Sequence, residues 1–338
     1  MITVLSGGVG GARFLRGLLH ALADPRSPNS PSSTDTVTVV ANTADDLWMH
    51  GLKVCPDLDT VMYTLGGGID AERGWGRSGE TWSASDELAA YGVEPTWFGL
   101  GDRDLATHLV RTEMLSAGYP LSQVTAALCE RWNPGVRLLP MSDDRVETHV
   151  AIDDPEQPSG RRVVHFQEYW VRLGAEVPAR AVILVGIDAA TPAPGVLEAI
   201  TTADLLLVPP SNPVVSVGTI LAVPGVREAV RATSAPIVGL SPIVAGSHVR
   251  GMAAQLLEAI DVPVSASGVA GYYGSRAADG ILDGWLVDTA DRAEVDAVRA
   301  AGIDCAAVPL MMSDDEATAA MARAAFDLAE QIRERVRR

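Results

Sequence analysis

Lysine is almost missing from this chain. Lys53 is the only one in 338 residues, and nearly all the remaining positive charge is arginine. Positive charge as a whole is in deficit, with 26 Lys+Arg against 43 Asp+Glu and a net charge of −17. That balance argues against nucleic acid as a partner, because its phosphates would be repelled. It argues equally against an anionic membrane surface. A small polyanionic ligand remains compatible, provided that arginines, backbone amides or a metal supply local positive charge. Cysteine is scarce and odd in number (Cys55, Cys129, Cys305), with no CxxC pair. This excludes a disulfide scaffold or a thiolate zinc site and fits a reducing cytoplasm. No run approaches the length of a membrane span, and no leader is expected before the first strand. With 47% hydrophobic and 20% charged residues, the composition is that of a soluble globular enzyme able to bury a large core.

What is abundant is glycine, and it is concentrated at the start. A short apolar strand, Ile2 to Leu5, runs into Ser6-Gly7-Gly8-Val9-Gly10-Gly11-Ala12-Arg13, and a helical pattern begins at Phe14, Leu15, Leu18 and Leu19. Glycine lets backbone approach a ligand closely. The following helix aims free N–H groups and its positive dipole end at the same point, which makes an anion site, most often for phosphate. The alternative is a tight strand-to-helix turn with no ligand. A P-loop is excluded because no lysine is near. A dinucleotide fingerprint is weakened, since Arg13 stands where its last glycine belongs and Asn42 replaces the acid at the second strand tip.

The β-branched run from Thr36 to Ala41 is the second strand, reached through a Pro/Ser-rich loop over 24–33. Residues 56–133 read as a helical insertion over the sheet edge, with helices at Leu58–Leu65, Ser83–Tyr91, Arg103–Ala117 and Leu121–Trp132. Residues 1–55 and 134–338 form the nucleotide-binding core. A hairpin is expected over Glu147–Ile152 and Arg162–Phe166. The apolar runs at Ala181–Val185, Leu205–Val208 and Pro236–Leu240 read as parallel strands buried on both faces. The fold class is α/β: a Rossmann-like, doubly wound, mostly parallel sheet with a helical insertion.

The tip of the second strand carries Asp45 and Asp46, and Pro56-Asp57-Leu58-Asp59-Thr60 follows closely. Four carboxylates facing a phosphate loop make sense around a hard divalent cation such as Mg²⁺, which takes one or two carboxylates together with phosphate oxygens. The alternative is local: Asp45 or Asp46 caps a helix through Leu47-Trp48-Met49, and Asp57 caps the one from Leu58. Gly101-Asp102-Arg103-Asp104 opens another helix, where Arg103 in the first turn opposes the dipole and so suits a ligand or a carboxylate partner. Met141-Ser142-Asp143-Asp144-Arg145 and Ser211-Asn212-Pro213 both follow strands at the carboxyl edge. Either is a ligand-facing turn or a polar turn with helix caps.

The segments GGVGGAR, NTADD, PDLDT, GDRDLATH, LPMSDD, HFQEYW and PSNPVVSVG occur here in this order. Together they resemble the 2-phospho-L-lactate transferases of deazaflavin coenzyme (coenzyme F-420) biosynthesis, most closely the actinobacterial members, from the first strand to about Leu310. The resemblance implies a Rossmann-like homodimer that uses Mg²⁺. Its small-molecule partners are Fo (7,8-didemethyl-8-hydroxy-5-deazariboflavin) and a guanosine diphosphate-linked phospho-three-carbon acid. The ribityl hydroxyl of Fo attacks the donor and GMP leaves. It assigns Asp59, Asp46 and Arg103 to catalysis. The nucleotide falls to Gly7, Gly8, Gly10, Gly11, Arg13, Asn42, Ser211, Asn212 and Pro213. Fo falls to Asp59, Thr60, Arg103, Trp48 and Ser142, and the metal to Asp45, Asp46 and Asp59. A nucleotide-sugar-binding regulator and an NAD-dependent dehydrogenase are the rival readings.

Overall fold

The computed structural model describes residues 1–24, 37–248 and 252–337, so most of the expected Pro/Ser-rich loop lies outside the described residues. The chain starts with β1 (Ile2–Ser6), α1 (Gly8–Ala23) and β2 (Val37–Ala41), followed by a small hairpin of β3 (Leu47–Met49) and β4 (Leu52–Val54). Four helices come next: α2 (Pro56–Leu65), α3 (Ser83–Ala90), α4 (Asp102–Ser116) and α5 (Leu121–Trp132). After β5 (Arg137–Pro140) come β6 (Glu147–Asp153), β7 (Arg161–His165) and β8 (Ala179–Val185). The remainder alternates: α6 (Val196–Thr201), β9 (Leu205–Val208), α7 (Gly218–Ala222), α8 (Val226–Ala232), β10 (Ile237–Leu240), a hairpin of β11 (Ile243–Val244) and β12 (Ser247–His248), α9 (Ala253–Glu258) and α10 (Ala266–Tyr273). It ends with β13 (Gly284–Val287), α11 (Val295–Ala300), β14 (Asp304–Ala307) and α12 (Asp315–Arg337).

Seven strands form one sheet in the order β14-β13-β10-β9-β1-β2-β5, with every pairing parallel. Its strands are apolar on both faces, as a sheet covered by helices on each side requires. Leu5, Val40, Leu206 and Val208 pack into a core with α6 to α11, while Val4, Val39, Leu205 and Leu207 pack into a second core with α1, α2, α5 and α12. Phe14, Leu15, Leu18 and Leu22 put one apolar stripe of α1 against that second core. Within 56–133, α2 and α5 belong to that second core, whereas Leu100 joins Leu47, Met49 and Val54 in a separate small cluster.

Two expectations need correction. Leu47-Trp48-Met49 is a strand rather than a helix. It pairs antiparallel with β4 around His50–Gly51, both with positive φ (50° and 78°), as a two-residue hairpin turn demands. Ala181–Val185 lies outside the parallel sheet: as part of β8 it pairs antiparallel with β6, in a three-stranded sheet ordered β7-β6-β8. A short apolar run does not reveal its pairing partner, and here one face stays open, with Ile183 and Val185 exposed.

Candidate active site

The strand order reverses beside β1. From β1 the chain proceeds outward through β2 and β5 on one side and through β9, β10, β13 and β14 on the other. The carboxyl ends of β1 and β9 therefore flank the switch point, where ligands bind in open α/β sheets. Both glycine-rich and Ser-Asn-Pro turns lie there. The Ser211 hydroxyl donates to the Gly7 carbonyl at 2.9 Å and accepts from the Gly7 N–H at 3.3 Å. Gly8 has φ of +65°. A Cβ on Gly10 would lie 2.6 Å from the Pro210 carbonyl oxygen, and one on Gly7 would lie 2.6 Å from Asp57 Oδ2. The glycines thus bring the α1 N-terminus within contact of the β9 turn and of the α2 N-terminus. Arg13 is half-buried within the first turns of α1.

Asn42, at the tip of β2, ties these pieces together. Its Nδ2 donates to Asp57 Oδ2 at 3.0 Å, and its Oδ1 accepts from the Ala44 N–H at 2.9 Å and from the Thr219 hydroxyl at 2.7 Å. Asn212 acts as a helix cap, its Oδ1 accepting from the N–H groups of Val214 and Val215 at 2.9 and 3.2 Å. Pro213 is buried directly after it.

Three buried acids gather beside this loop. Burial pushes Asp45 well above the ordinary carboxylate range, with the charges of Asp57 and Asp46 adding to the effect. Burial also raises Asp46, against the pull of Lys53, whose ammonium is 3.2 Å from Asp46 Oδ2. Asp57 is pushed up to about 6, chiefly by burial, even though the Asn42 amide and the Gly8 N–H both favour its charged form. Burial works against the charge on Lys53, but the Asp46 carboxylate outweighs it and the ammonium is held above its ordinary value. Such a group of acids is under-neutralised and attracts cations. Asp45 Oδ1 and Asp46 Oδ1 are buried without a hydrogen-bond partner. Two such oxygens fit a Mg²⁺ ion that completes its shell with phosphate and water. Among the described residues no cluster of three or more His, Cys, Asp or Glu side chains is placed to hold a metal by itself.

A cleft of about 440 Å³ opens next to these acids. It is lined by Thr43, Asp46, Trp48 and Lys53 on one side and by Leu115 and Leu121 with the Asp143–Arg145 turn on the other. Trp48 and Lys53 are a cross-strand pair of the β3–β4 hairpin, and the indole is 49% exposed.

Asp59 is placed differently. Its two oxygens face the Arg111 guanidinium, one at 3.0 Å and the other closer still. Arg111 also contacts His108 Nδ1 at 3.1 Å, His108 Nε2 lies 3.3 Å from Asp104, and the Tyr63 hydroxyl donates to Asp104 at 2.6 Å. This buried network clamps α4 onto α2, with Thr60 buried alongside. Arg103 is exposed, donates to the Ser78 carbonyl at 3.3 Å and does not line the cleft. Ser142 is fully buried and donates to the Thr191 carbonyl at 2.6 Å. The structure therefore gathers the glycine loop, Asn42, Asp45, Asp46 and Ser211 around one point, with Trp48 on the adjoining cleft. Asp59 joins that group only through Arg111, which also donates to the Lys53 carbonyl at 3.4 Å. Ser142 supports the Asp143–Arg145 wall of the cleft by accepting from the Asp144 N–H at 3.0 Å, and Arg103 lines neither the loop nor the cleft. Asp57, one of the four carboxylates of the sequence reading, enters it at the loop itself, and two residues given no site role from sequence join it: Lys53 on Asp46 and Thr219 on Asn42. The isolation of the single lysine between NTADD and PDLDT was the available signal for Lys53.

Residues 2–322 match the family model described as 2-phospho-L-lactate transferase CofD. The chain belongs to the 2-phospho-L-lactate transferase CofD family. It is a member of an enzyme family of transferases. A phosphoenolpyruvate transferase of Kitasatospora aureofaciens is 65% identical over 332 residues, covering 98% of each chain. One of Streptomyces coelicolor is 63% identical over 333 residues (98% of this chain, 99% of the relative), and one of Mycolicibacterium smegmatis is 59% identical over 328 residues (97% and 98%). Among solved structures, a UPF0052 family member from Bacillus halodurans superposes with a TM-score of 0.60 at 17% identity, covering 95% of this chain and 97% of that one. That likeness concerns the fold alone. Among the described residues no single helix is long and apolar enough to cross a membrane. The pair Pro213–Ala222 and Val226–Ala232 meets the length and composition only jointly and is bent by 88°.

Proposed function

We propose that this CofD-family transferase moves a phosphoenolpyruvyl or 2-phospho-L-lactyl group from a guanosine diphosphate-linked donor to the ribityl hydroxyl of Fo. GMP is released, and the product is dehydro-coenzyme F-420-0 or coenzyme F-420-0. The observation that carries this reading is the meeting of an anion-binding loop, a group of under-neutralised acids and a cleft of small-ligand size at one switch point. The relatives named phosphoenolpyruvate transferase favour the enolpyruvyl donor.

In this account the α1 amides and the Ser211 turn cradle the diphosphate, and Trp48 offers its exposed face to the deazaflavin ring. The hydroxyl oxygen bonds to the phosphorus that carries the acid, the bridging P–O bond breaks, and the bridging oxygen departs with GMP. The hydroxyl proton passes to solvent or to a cleft carboxylate. Asp45 and Asp46 would hold Mg²⁺ through their unpartnered oxygens, and the ion would supply the positive charge that the acidic cleft lacks. Phosphoryl transfer of this kind depends mainly on alignment and charge neutralisation, so no strong base is needed. Asp59, engaged by Arg111, serves by fixing α2 beneath the loop. The chain is taken to work in the cytoplasm, in keeping with its free cysteines, and as a homodimer, on the resemblance alone.

The test is a fluorescence titration of Fo into the protein with GDP and Mg²⁺. Saturable binding that needs both ligands supports the reading. Nucleotide binding without any Fo binding would return the molecule to the regulator class.

A further inference from the structure

The donor in the proposed reaction carries a carboxylate on its three-carbon acid as well as its diphosphate, and the cleft that must admit it is acidic. Asp143 and Asp144 on its wall are already engaged. Asp143 accepts from the Ser122 N–H at 2.6 Å and hydroxyl at 2.9 Å, and Asp144 accepts from the Thr191 N–H at 2.7 Å and hydroxyl at 2.8 Å. Among the described residues that line the cleft, the cations are Lys53 and Arg145. The Arg145 side chain is 71% exposed and paired with Glu147. The Lys53 side chain is 13% exposed, with its ammonium 3.2 Å from Asp46. An ammonium has three donors, and one carboxylate contact leaves others available to a ligand. The hairpin register sets Lys53 opposite Trp48, so a cation and an exposed indole stand side by side on the same cleft wall. Lys53 thus meets Asp46 through its ammonium and Trp48 through the strand pairing, at the wall of the cleft.

We propose that Lys53 is a specificity-determining residue that binds the carboxylate of the donor's three-carbon acid. The inference rests on the transferase reading given above. It assigns the chain's one lysine to the task of distinguishing a donor with an acid from a plain guanosine diphosphate or a neutral analogue. Loss of a half-buried charge partner weakens such an interaction by about 30-fold or more.

The experiment is calorimetric binding with Mg²⁺ present, using three probes: GDP, guanylylated 2-phospho-L-lactate, and the carboxamide of that donor. Wild-type protein is expected to bind the acid at least about 30-fold more tightly than the amide. Lys53→Met is expected to bind acid and amide alike, with GDP affinity unchanged, and Lys53→Arg to restore part of the preference. A wild type that binds acid and amide equally overturns the proposal without need of any variant. So does a Lys53→Met protein that keeps the preference, or one that loses GDP in step with the donor. Failure of wild-type protein to bind GDP or either donor would instead refute the underlying transferase reading.

Discussion

Replacing Arg111 with methionine removes the centre of the buried network between α2 and α4. Arg111 is 1% exposed and Asp59 5%, and the guanidinium holds both carboxylate oxygens. Burial disfavours charge on Arg111, yet Asp59 holds its pKa above the ordinary arginine value. In Arg111→Met the aspartate stays buried with its main counter-charge gone, and breaking a buried pair in this way costs about 3–5 kcal/mol. Unfolding entropy of roughly 2.1 cal/mol/K per residue, applied to this chain, turns that loss into a fall in Tm of about 4–7 °C. Asp59→Asn leaves the arginine unpaired and should fall by a similar amount. The double variant should fall by clearly less than the sum, with a coupling energy of at least about 2 kcal/mol. Denaturant or thermal melts of the four proteins complete the cycle. Turnover measured on the same proteins separates positioning from chemistry. If α2 is merely held in place, Asp59→Asn keeps much of its turnover well below its Tm. Additive single effects, or an Arg111→Met protein within about 1 kcal/mol of wild type, would refute the clamp.

Three further outcomes follow from the geometry. Gly10→Ala gains about 1 kcal/mol of helix propensity but drives a Cβ to 2.6 Å from the Pro210 carbonyl oxygen, a backbone clash costing about 1–3 kcal/mol. GDP affinity should fall at least about tenfold, and calorimetry showing no change would remove the loop from the nucleotide site. Asp57 has its folded pKa raised from 3.8 to about 6, so the stability it contributes is full below pH 3.8 and is lost as pH rises through 6. In chelator, wild type should lose roughly 2.5 kcal/mol from this group between pH 4 and pH 8, and Asp57→Asn should not. Parallel denaturation curves for the two proteins at both pH values would contradict that. Arg103 is exposed and does not line the cleft, so Arg103→Ala should leave both Fo and GDP affinity unchanged, as fluorescence and calorimetry can compare; a selective loss of Fo binding would contradict that placement.

The central sheet was readable because its strands are short apolar runs separated by helical periodicity. Leu205–Val208, Leu121–Trp132 and Val226–Ala232 end where composition changes. The glycine loop and the acids of NTADD were readable as ligand chemistry for the same reason: they are local. What local pattern does not carry is pairing. Ala181–Val185 looked like a central parallel strand, yet its partner is β6, and its exposed outer face has the same apolar residues as a buried one. The short helices α10 and α11 lie among small residues without a strong apolar stripe and gave no periodic signal. Asp59 and Arg111 are 52 residues apart, so nothing near PDLDT announces that its second acid has a buried partner. Likewise the closeness of Lys53 to Asp46 depends on a two-residue turn at His50–Gly51 that reverses the chain. Long-range charge pairing decides which carboxylates remain open to a ligand, and only the three-dimensional arrangement reveals it.

The most direct measurement is product analysis by mass spectrometry. Purified protein is mixed with Fo and Mg²⁺ and offered the guanylylated enolpyruvyl, lactyl and glyceryl donors in separate reactions. The account predicts GMP and a Fo phosphodiester in equal amounts, fastest with the enolpyruvyl donor and absent without Fo. No phosphodiester with any of the three donors, or GMP release independent of Fo, would contradict it.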